Sequence, residues 1–380
     1  MSNRKGLLAA AAALVLLLGY LAFAPVPTRA LAWNAPKAPG YVGPHAVNTR
    51  LADLRTIALG DEAGPEHVAI GPDGKLYAAV ASGTILRMEP DGTGVEAWAR
   101  TGGRVLGFDF DARGRLIAAD AIRGLLAIDT DRRVEVLVDK VRVGDADDPV
   151  RYANSVVVAR SGLIYFSDAT RRFGARDWGG TFEASVLDIL EHSSTGRVIE
   201  YDPASGRTHV VIERLCFANG VALSADERSL FVAETGEYRV WKVDADASGV
   251  DAKSAAGGHT KARLVLQNLP GFPDNLTRGK SGRLWLGFAK PRAATVDAMS
   301  GVPWLRQVTL RLPRALWPVP PAYGHVIAFD ENGKVLADLQ DPAGAYPETT
   351  GVLETAERLY VQSLHAGVLG WRPRAGLGLE

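Results

Sequence analysis

The chain has 380 residues, of which 47% are hydrophobic and 23% charged, long enough for one large domain with its own core. Lysine plus arginine and aspartate plus glutamate each total 43, so the net charge is zero and no basic surface points to a nucleic-acid partner. A single cysteine, Cys216, excludes an intrachain disulfide and a thiolate zinc site.

Arg4 and Lys5 precede a run of 19 uncharged residues, Gly6 to Ala24. That length spans a bilayer as one helix, and basic residues ahead of it hold the N-terminus in the cytoplasm. Residues 1–24 are therefore read as a membrane anchor, with the rest of the chain in the periplasm or outside the cell. Ala22-Phe23-Ala24 has the small-x-small form of a cleavage site, so a signal peptide and a secreted product are the competing reading. Residues 25–49 carry five prolines and read as a linker.

From residue 50 to about 375 one pattern recurs: two stretches of alternating apolar residues around a polar turn, as in a β-hairpin. Copies begin at Glu66, Leu106, Asn154, Asn219, Asp274 and Thr349, spaced 40 to 75 residues apart. A third strand follows most copies, as at Thr84, Leu125, Arg197, Tyr238 and Val368. A fourth follows several, as at Val95, Val134, His209 and Leu264. Four strands repeated six times predict an all-β, six-bladed β-propeller. The segment from Leu51 to Leu59 is expected to give the last blade its outer strand and close the ring, leaving no open sheet edge. The longer spacings locate insertions at Phe173–Ser194, apolar-periodic around Val186 to Leu190, and at Pro291–Tyr323. Both are expected to act as lids or side elements.

Aligning the copies on the second-strand residues Tyr77, Ile117, Tyr165, Phe231, Trp285 and Tyr360 exposes one recurring position. It reads Glu66, Leu106, Asn154, Asn219, Asp274 and Thr349. Inner strands of a propeller line its central channel, so equivalent positions converge on the axis. Glu66, Asn154, Asn219 and Asp274 then offer side-chain oxygens to one hard cation. Ca²⁺ fits best, since it takes ~6–8 oxygens, whereas zinc prefers His or Cys and Mg²⁺ demands stricter geometry. Each residue alone is also an ordinary turn former.

The ends of the second strands return to the same mouth and bring Asp120, Asp168, Glu234 and His365 to the rim. His365 is the candidate proton shuttle; the three acids cap turns or orient the ligands. His67 should face away from Glu66 by strand alternation. His45, His192, His209, His259 and His325 share no pattern and are read as surface residues, and Cys216 as a buried apolar group. A Gly-x-Ser-x-Gly elbow and a phosphate-binding loop are both missing from the sequence.

The runs Gly64-Pro65-Glu66, Tyr152-Ala153-Asn154-Ser155, Phe217-Ala218-Asn219-Gly220 and Pro270-Gly271-Phe272-Pro273-Asp274-Asn275 resemble the strictosidine-synthase-like branch of the calcium propellers. That superfamily includes gluconolactonases, senescence-marker proteins, paraoxonases and diisopropylfluorophosphatases. Tyr165–Asp168, Val232–Thr235 and Leu187–Glu191 carry the same likeness, which covers about residues 50–372. The resemblance implies that Glu66, Asn154, Asn219 and Asp274 hold calcium and that the chain hydrolyses lactones, aryl esters or organophosphates. Asp274 would then attack directly or activate water, with Glu66 beside it and His365 near the relatives' last-blade histidine. The plant synthase condenses an amine with an aldehyde, using a glutamate near its last inner hairpin. Here Thr349 and Thr350 stand there and Glu348 reads as out of register, so condensation is the alternative. A further alternative is a non-catalytic binding platform braced by calcium.

Overall fold

The computed structural model describes residues 2–378. Helix α1 (Ser2–Phe23) contains a 20-residue apolar stretch, Arg4–Phe23, with mean hydropathy 2.3 and none of it buried against the body. The rest is a propeller-like stack of antiparallel sheets, each made by local hairpins in chain order.

Strand β1 (Arg55–Ala58) precedes the first sheet, formed by β2 (His67–Ile70), β3 (Leu76–Ala79), β4 (Thr84–Met88) and β5 (Glu96–Arg100). The second holds β6 (Val105–Phe110), β7 (Leu116–Asp120), β8 (Gly124–Ile128) and β9 (Val134–Val138). A separate two-stranded ribbon, β10 (Lys140–Val143) with β11 (Ala146–Pro149), follows it; the sequence gives no repeat signal for this piece. The third sheet has β12 (Ala153–Val158), β13 (Ile164–Asp168), β14 (Gly196–Asp202) and β15 (Arg207–Leu215). The fourth has β16 (Ala218–Leu223), β17 (Ser229–Glu234), β18 (Arg239–Asp244) and β20 (Ala262–Leu266); short β19 (Val250–Asp251) pairs back to β15.

The last sheet has eight strands. One antiparallel unit runs β21 (Gly271–Arg278), β22 (Leu284–Pro291), β23 (Gly324–Phe329), β24 (Val335–Asp341). The other runs β25 (Thr349–Glu354), β26 (Arg358–Ser363), β27 (Val368–Pro373), β1. A single bridge, Phe288 to Thr349, joins the two. Strand β1 pairs with β27 from Arg55–Trp371 to Ala58–Val368, so the N-terminal strand closes the C-terminal unit as the sequence leads one to expect.

Alternation puts apolar residues on both faces of each sheet, and buried clusters fill the gaps between neighbours. Val221, Leu230 and Trp241 pack with Val198 and Ile212 of the preceding sheet. Around the ring the final strands pack on the first: Tyr360 and Leu369 share a cluster with Ile57, Val68 and Leu76.

The two insertions fold as helices over one end of the stack. Helix α2 (Thr181–Glu191) comes from the first; four-residue α3 (Ala252–Ala255) lies elsewhere, beside β15. The second insertion supplies α4 (Ala294–Ala298) and α5 (Pro303–Arg311), and α5 packs on α2.

The segment 25–49 departs from the linker reading. It is a strap tied down along its length: the Leu31 N–H donates to Glu191 O (2.8 Å), the Trp33 N–H to Ser300 O (3.1 Å). Trp33 stacks on His192 at 4.1 Å. Further along, His45 Nδ1 and His325 Nε2 each lie 2.8 Å from the same Asp338 oxygen. Prolines keep this segment extended, and several of its backbone groups are paired on helix ends and a strand edge.

His192 and His325 are therefore not surface residues; each is 1% exposed. His192 sits between Cys216 Sγ (3.2 Å) and Glu237 Oε1 (2.9 Å). His67 packs on Phe108, away from Glu66, and Cys216 is buried, as alternation and composition require.

Helix α2 carries a buried carboxyl, Asp188, whose oxygens lack a hydrogen-bond donor. Burial first, then the Glu191 charge, pushes its pKa up to about 7, against the pull of Thr170 and Arg172. Its unfolded value is near 4, so its favourable contribution is full below about pH 4 and is lost as pH rises through 7. Asp188→Asn should remove that loss, leaving the variant more stable than the parent at pH 8 by on the order of 3 kcal/mol. Urea unfolding of both proteins at pH 5 and pH 8 measures it.

Candidate functional site

Each inner strand of the later units is broken at the same place. Pairing shifts by one residue between Val105 and Gly107, Ala153 and Val156, Ala218 and Val221, Pro273 and Leu276, and Thr349 and Gly351. These are β-bulges, which turn a side chain out of strict alternation. The residues they carry are Leu106, Asn154, Asn219, Asp274 and Thr350, and Glu66 precedes β2 at the corresponding end. In the sixth copy the register residue is therefore Thr350. The Glu354–Leu359 hairpin turn is one residue shorter than the Val158–Ile164 turn, which moves the position one along from Thr349. The Thr349 hydroxyl instead donates to His325 O at 2.9 Å, while Thr350 Oγ1 donates to Glu66 O at 3.0 Å.

The bulges can crowd together because the next residue is small. A Cβ on Gly220 would lie 2.2 Å from Leu276 N and 2.6 Å from Asp274 O, on the neighbouring inner strand. Ser155 occupies the same place in the third sheet and accepts the Val221 N–H at 3.0 Å. Asn275 occupies it in the fifth unit and donates to Glu66 O at 2.9 Å.

The rim acids Asp120, Asp168 and Glu234 hold the approaches to these bulges and do not line the cavity. Asp120 accepts the Arg104 N–H (3.0 Å), Asp168 the Tyr152 N–H (3.0 Å) and Glu234 the Cys216 N–H (2.9 Å). All three are fully buried. They orient the strands rather than meet a ligand.

Glu66, Asn154, Asn219, Asp274 and His365 converge on one cavity of about 460 Å³. Glu66 is 2%, Asn154 and Asn219 3% and Asp274 5% exposed. Glu66 Oε2, Asn154 Oδ1 and Asn219 Oδ1 have no hydrogen-bond donor, nor has Oδ1 of adjacent Asn275. The orientation of Asn219 is set: its Nδ2 donates to Thr235 Oγ1, whose own proton goes to Pro273 O. The Arg104 guanidinium stands 3.8 Å from Glu66 Oε2, beyond hydrogen-bond reach. Burial, then the neighbouring Asp274, pushes the Glu66 pKa well up. Burial also raises Asp274 to about 7, with Glu348 adding to it and Asn219 working against it. Acceptors crowded without donors are costly unless a positive charge joins them.

His365 stands at the cavity wall with Nδ1 against Glu348 Oε2. Glu348 also meets Lys290 Nζ at 2.5 Å. Burial opposes its ionisation, but His365 and Lys290 together hold its carboxyl below the usual range. Its φ of 54° is a left-handed conformation that side chains resist, a strain often kept at functional sites. Glu348 is out of register, two residues before Thr350, yet it lines the cavity, as Arg104, Tyr152, Phe217 and Phe272 do two residues before their own register positions. Lys290, at the end of β22, and Arg104 are further wall residues that repeat alignment does not reveal.

Residues 43–88 match the family model described as strictosidine synthase-like, N-terminal, and residues 154–247 match that for strictosidine synthase. Strictosidine synthase-like protein 6 of Arabidopsis thaliana is 32% identical over 346 residues, spanning 86% of this chain and 84% of its own. The chain belongs to the strictosidine-synthase-like family. Human adipocyte plasma membrane-associated protein is 28% identical, over 84% of this chain and 77% of its own. Among solved structures, a gluconolactonase from Xanthomonas campestris superposes with a TM-score of 0.59 at 20% identity, covering 93% and 98% of the two chains. A calcium-binding regucalcin from Agrobacterium tumefaciens gives 0.53 at 13%, covering 84% and 93%. At these identities the superpositions establish a shared fold.

The close approach at Gly220 yields a direct test of how this family member builds its cavity. Glycine to alanine at a permissive site usually stabilises, by ~0.4–1 kcal/mol. Gly220→Ala should instead destabilise by about 1–3 kcal/mol, because the added methyl drives apart the bulges bearing Asn219 and Asp274. Urea unfolding of parent and variant measures the sign.

Proposed function

We propose that the chain is a calcium-dependent hydrolase of esters or lactones, built as a six-bladed propeller. The ion would be held in the central cavity by Glu66, Asn154, Asn219 and Asp274, with Asn275 alongside. The observation that carries this reading is the set of buried oxygens without donors, Glu66 Oε2, Asn154 Oδ1 and Asn219 Oδ1, facing one cavity together with the Asp274 carboxylate. An all-oxygen set suits Ca²⁺, whose remaining positions water or a substrate oxygen can fill. When bound, such an ion supplies Lewis-acid polarisation of a carbonyl or phosphoryl oxygen.

The chain's own groups supply the rest. Glu348 accepts the Nδ1 proton of His365, which fixes the tautomer and leaves Nε2 as the base for an attacking water. Lys290 keeps Glu348 ionised, so the imidazolium formed meets a negative charge. Asp274 is the alternative nucleophile or base, and Glu66 balances charge beside it. The solved gluconolactonase and the calcium-binding regucalcin share the fold and support the reading by likeness.

Glu348 favours one second reading, an amine–aldehyde condensation, since that reaction needs a carboxylate that accepts a proton in the cavity. Product analysis with amine and aldehyde pairs separates the two. For location, the exposed apolar α1 and relatives named for the plasma membrane support an anchored chain with its body outside the cytoplasm.

The full-length protein should cleave members of an aryl-ester and lactone panel, lose that activity on chelation and regain it with Ca²⁺. Asp274→Ala should lower kcat/KM by at least about 100-fold, as expected on losing a charged group from a metal site. No turnover by the calcium-loaded protein, or full activity in Asp274→Ala, contradicts the proposal.

A further inference from the structure

We infer that the outer face of α2, α5 and the turn after α5 docks on the lipid bilayer that α1 enters, so that the cavity opens toward the membrane. The substrate would then be an ester or lactone with a long apolar chain, drawn from the lipid. The surface stands on its own observations; the substrate class rests on the hydrolase reading.

The sequence places large apolar residues where a water-facing lid would not. Within the two insertions Phe182 is 37%, Trp304 51%, Leu305 38%, Leu316 63% and Val319 48% exposed; other exposed apolar residues, such as Val95, Val136 and Leu336, stand elsewhere. The other end of the stack is different. Its inner-hairpin turns, among them Asp111–Gly114, Arg160–Gly162 and Lys280–Gly282, are short, polar and charged. Several large exposed apolar residues gathered on the lid helices at one end mark a partner surface.

The structure shows which partner lies within reach. The last carbonyls of α1 have no intrahelical donors, and α5 supplies them: Arg311 Nε donates to Ala24 O (2.7 Å) and Arg311 Nη1 to Leu21 O (3.1 Å). Gln307 Nε2 then holds Thr28 O at 3.0 Å. The point where the apolar helix ends is thus fixed to α5. With a rise of ~1.5 Å per residue, Trp304 lies only ~10 Å along α5 from Arg311. The polar interface of a bilayer is itself several ångströms deep, so the apolar end of α5 sits at that level.

The chemistry of the rim matches. Arg314 lies over the Trp317 ring at 5.9 Å and pairs with Glu183 Oε1 at 2.8 Å, its side chain still 66% exposed. Aromatic rings with arginine beside them are the usual residents of the headgroup layer, and the guanidinium suits anionic lipids. Phe182 and Val319 also belong to the cavity wall, with Val186, Ile189 and Trp317 behind them. The cavity lining thus reaches this face, and a chain leaving the lipid meets a mostly apolar wall before the acidic floor.

The full-length protein in phosphatidylcholine–phosphatidylglycerol vesicles tests this. Leu305→Cys carries an environment-sensitive fluorophore, and Ser161→Cys, exposed at the opposite end, is the reference; Cys216 is buried and takes no label. Aqueous iodide should quench the Leu305→Cys label at least about threefold less than the reference, and brominated lipid should quench it selectively. Equal iodide quenching overturns the surface. So does shielding from iodide without quenching by brominated lipid, which means that protein covers it. Trp304→Asp with Leu316→Asp should raise KM for a vesicle-borne long-chain ester about tenfold or more and leave a water-soluble short-chain ester unchanged. Equal effects on both esters overturn the substrate class. If no ester is cleaved at all, the hydrolase reading and the substrate class fail, while the quenching data still decide the surface.

Discussion

Buried acceptors without donors are the constraint around which this protein is arranged. Glu66, Asn154 and Asn219 each bring to one cavity an oxygen with no proton to receive, and Asp274 adds a second carboxylate. Leaving one such group unpaired costs about 1–3 kcal/mol, so a cluster of them is stable only with a compensating positive charge. A bound cation, as proposed, would account for the rest of the geometry. Bulges bring the oxygens out of strand alternation, small residues let the bulges approach, and Thr235 fixes the amide of Asn219.

A second layer keeps that arrangement from relaxing. Asp120, Asp168 and Glu234 use full burial and several donors each to clamp the chain just before the bulges. A carboxylate that receives backbone N–H groups is satisfied, so these acids pull no ion away from the cavity. The acids near the axis and the acids behind it are alike in sequence and opposite in role. Hydrogen-bond partners, not residue type, make the difference. The His45–His325–Asp338 cluster follows the same rule: Asp338 is already met by both imidazoles, by Asn48 and by Gln340, and it secures the strap.

The repeat was legible because period-2 alternation and polar turns recur at every inner hairpin, and equivalent register positions then name Glu66, Asn154, Asn219 and Asp274. The strand that closes the last unit was legible for the same reason. Register arithmetic failed where a turn changed length: Thr350, not Thr349, is the sixth position. Glu348 escaped because it stands two residues before the register position, a place that meets the cavity also at Arg104, Tyr152, Phe217 and Phe272. His192 and His325 escaped because their partners are far away in sequence: Glu237, Trp33, Asp338. The strap at 25–49 looked like a linker because prolines mark an extended chain whether or not it is bound to anything.

Titration of the metal-stripped full-length protein with Ca²⁺, followed by calorimetry, tests the cation most directly. The account predicts one tight site per chain, a rise in unfolding temperature on saturation, and loss of both in Asn154→Ala with Asn219→Ala. Absence of heat and of any stabilisation in the unmodified protein would contradict it.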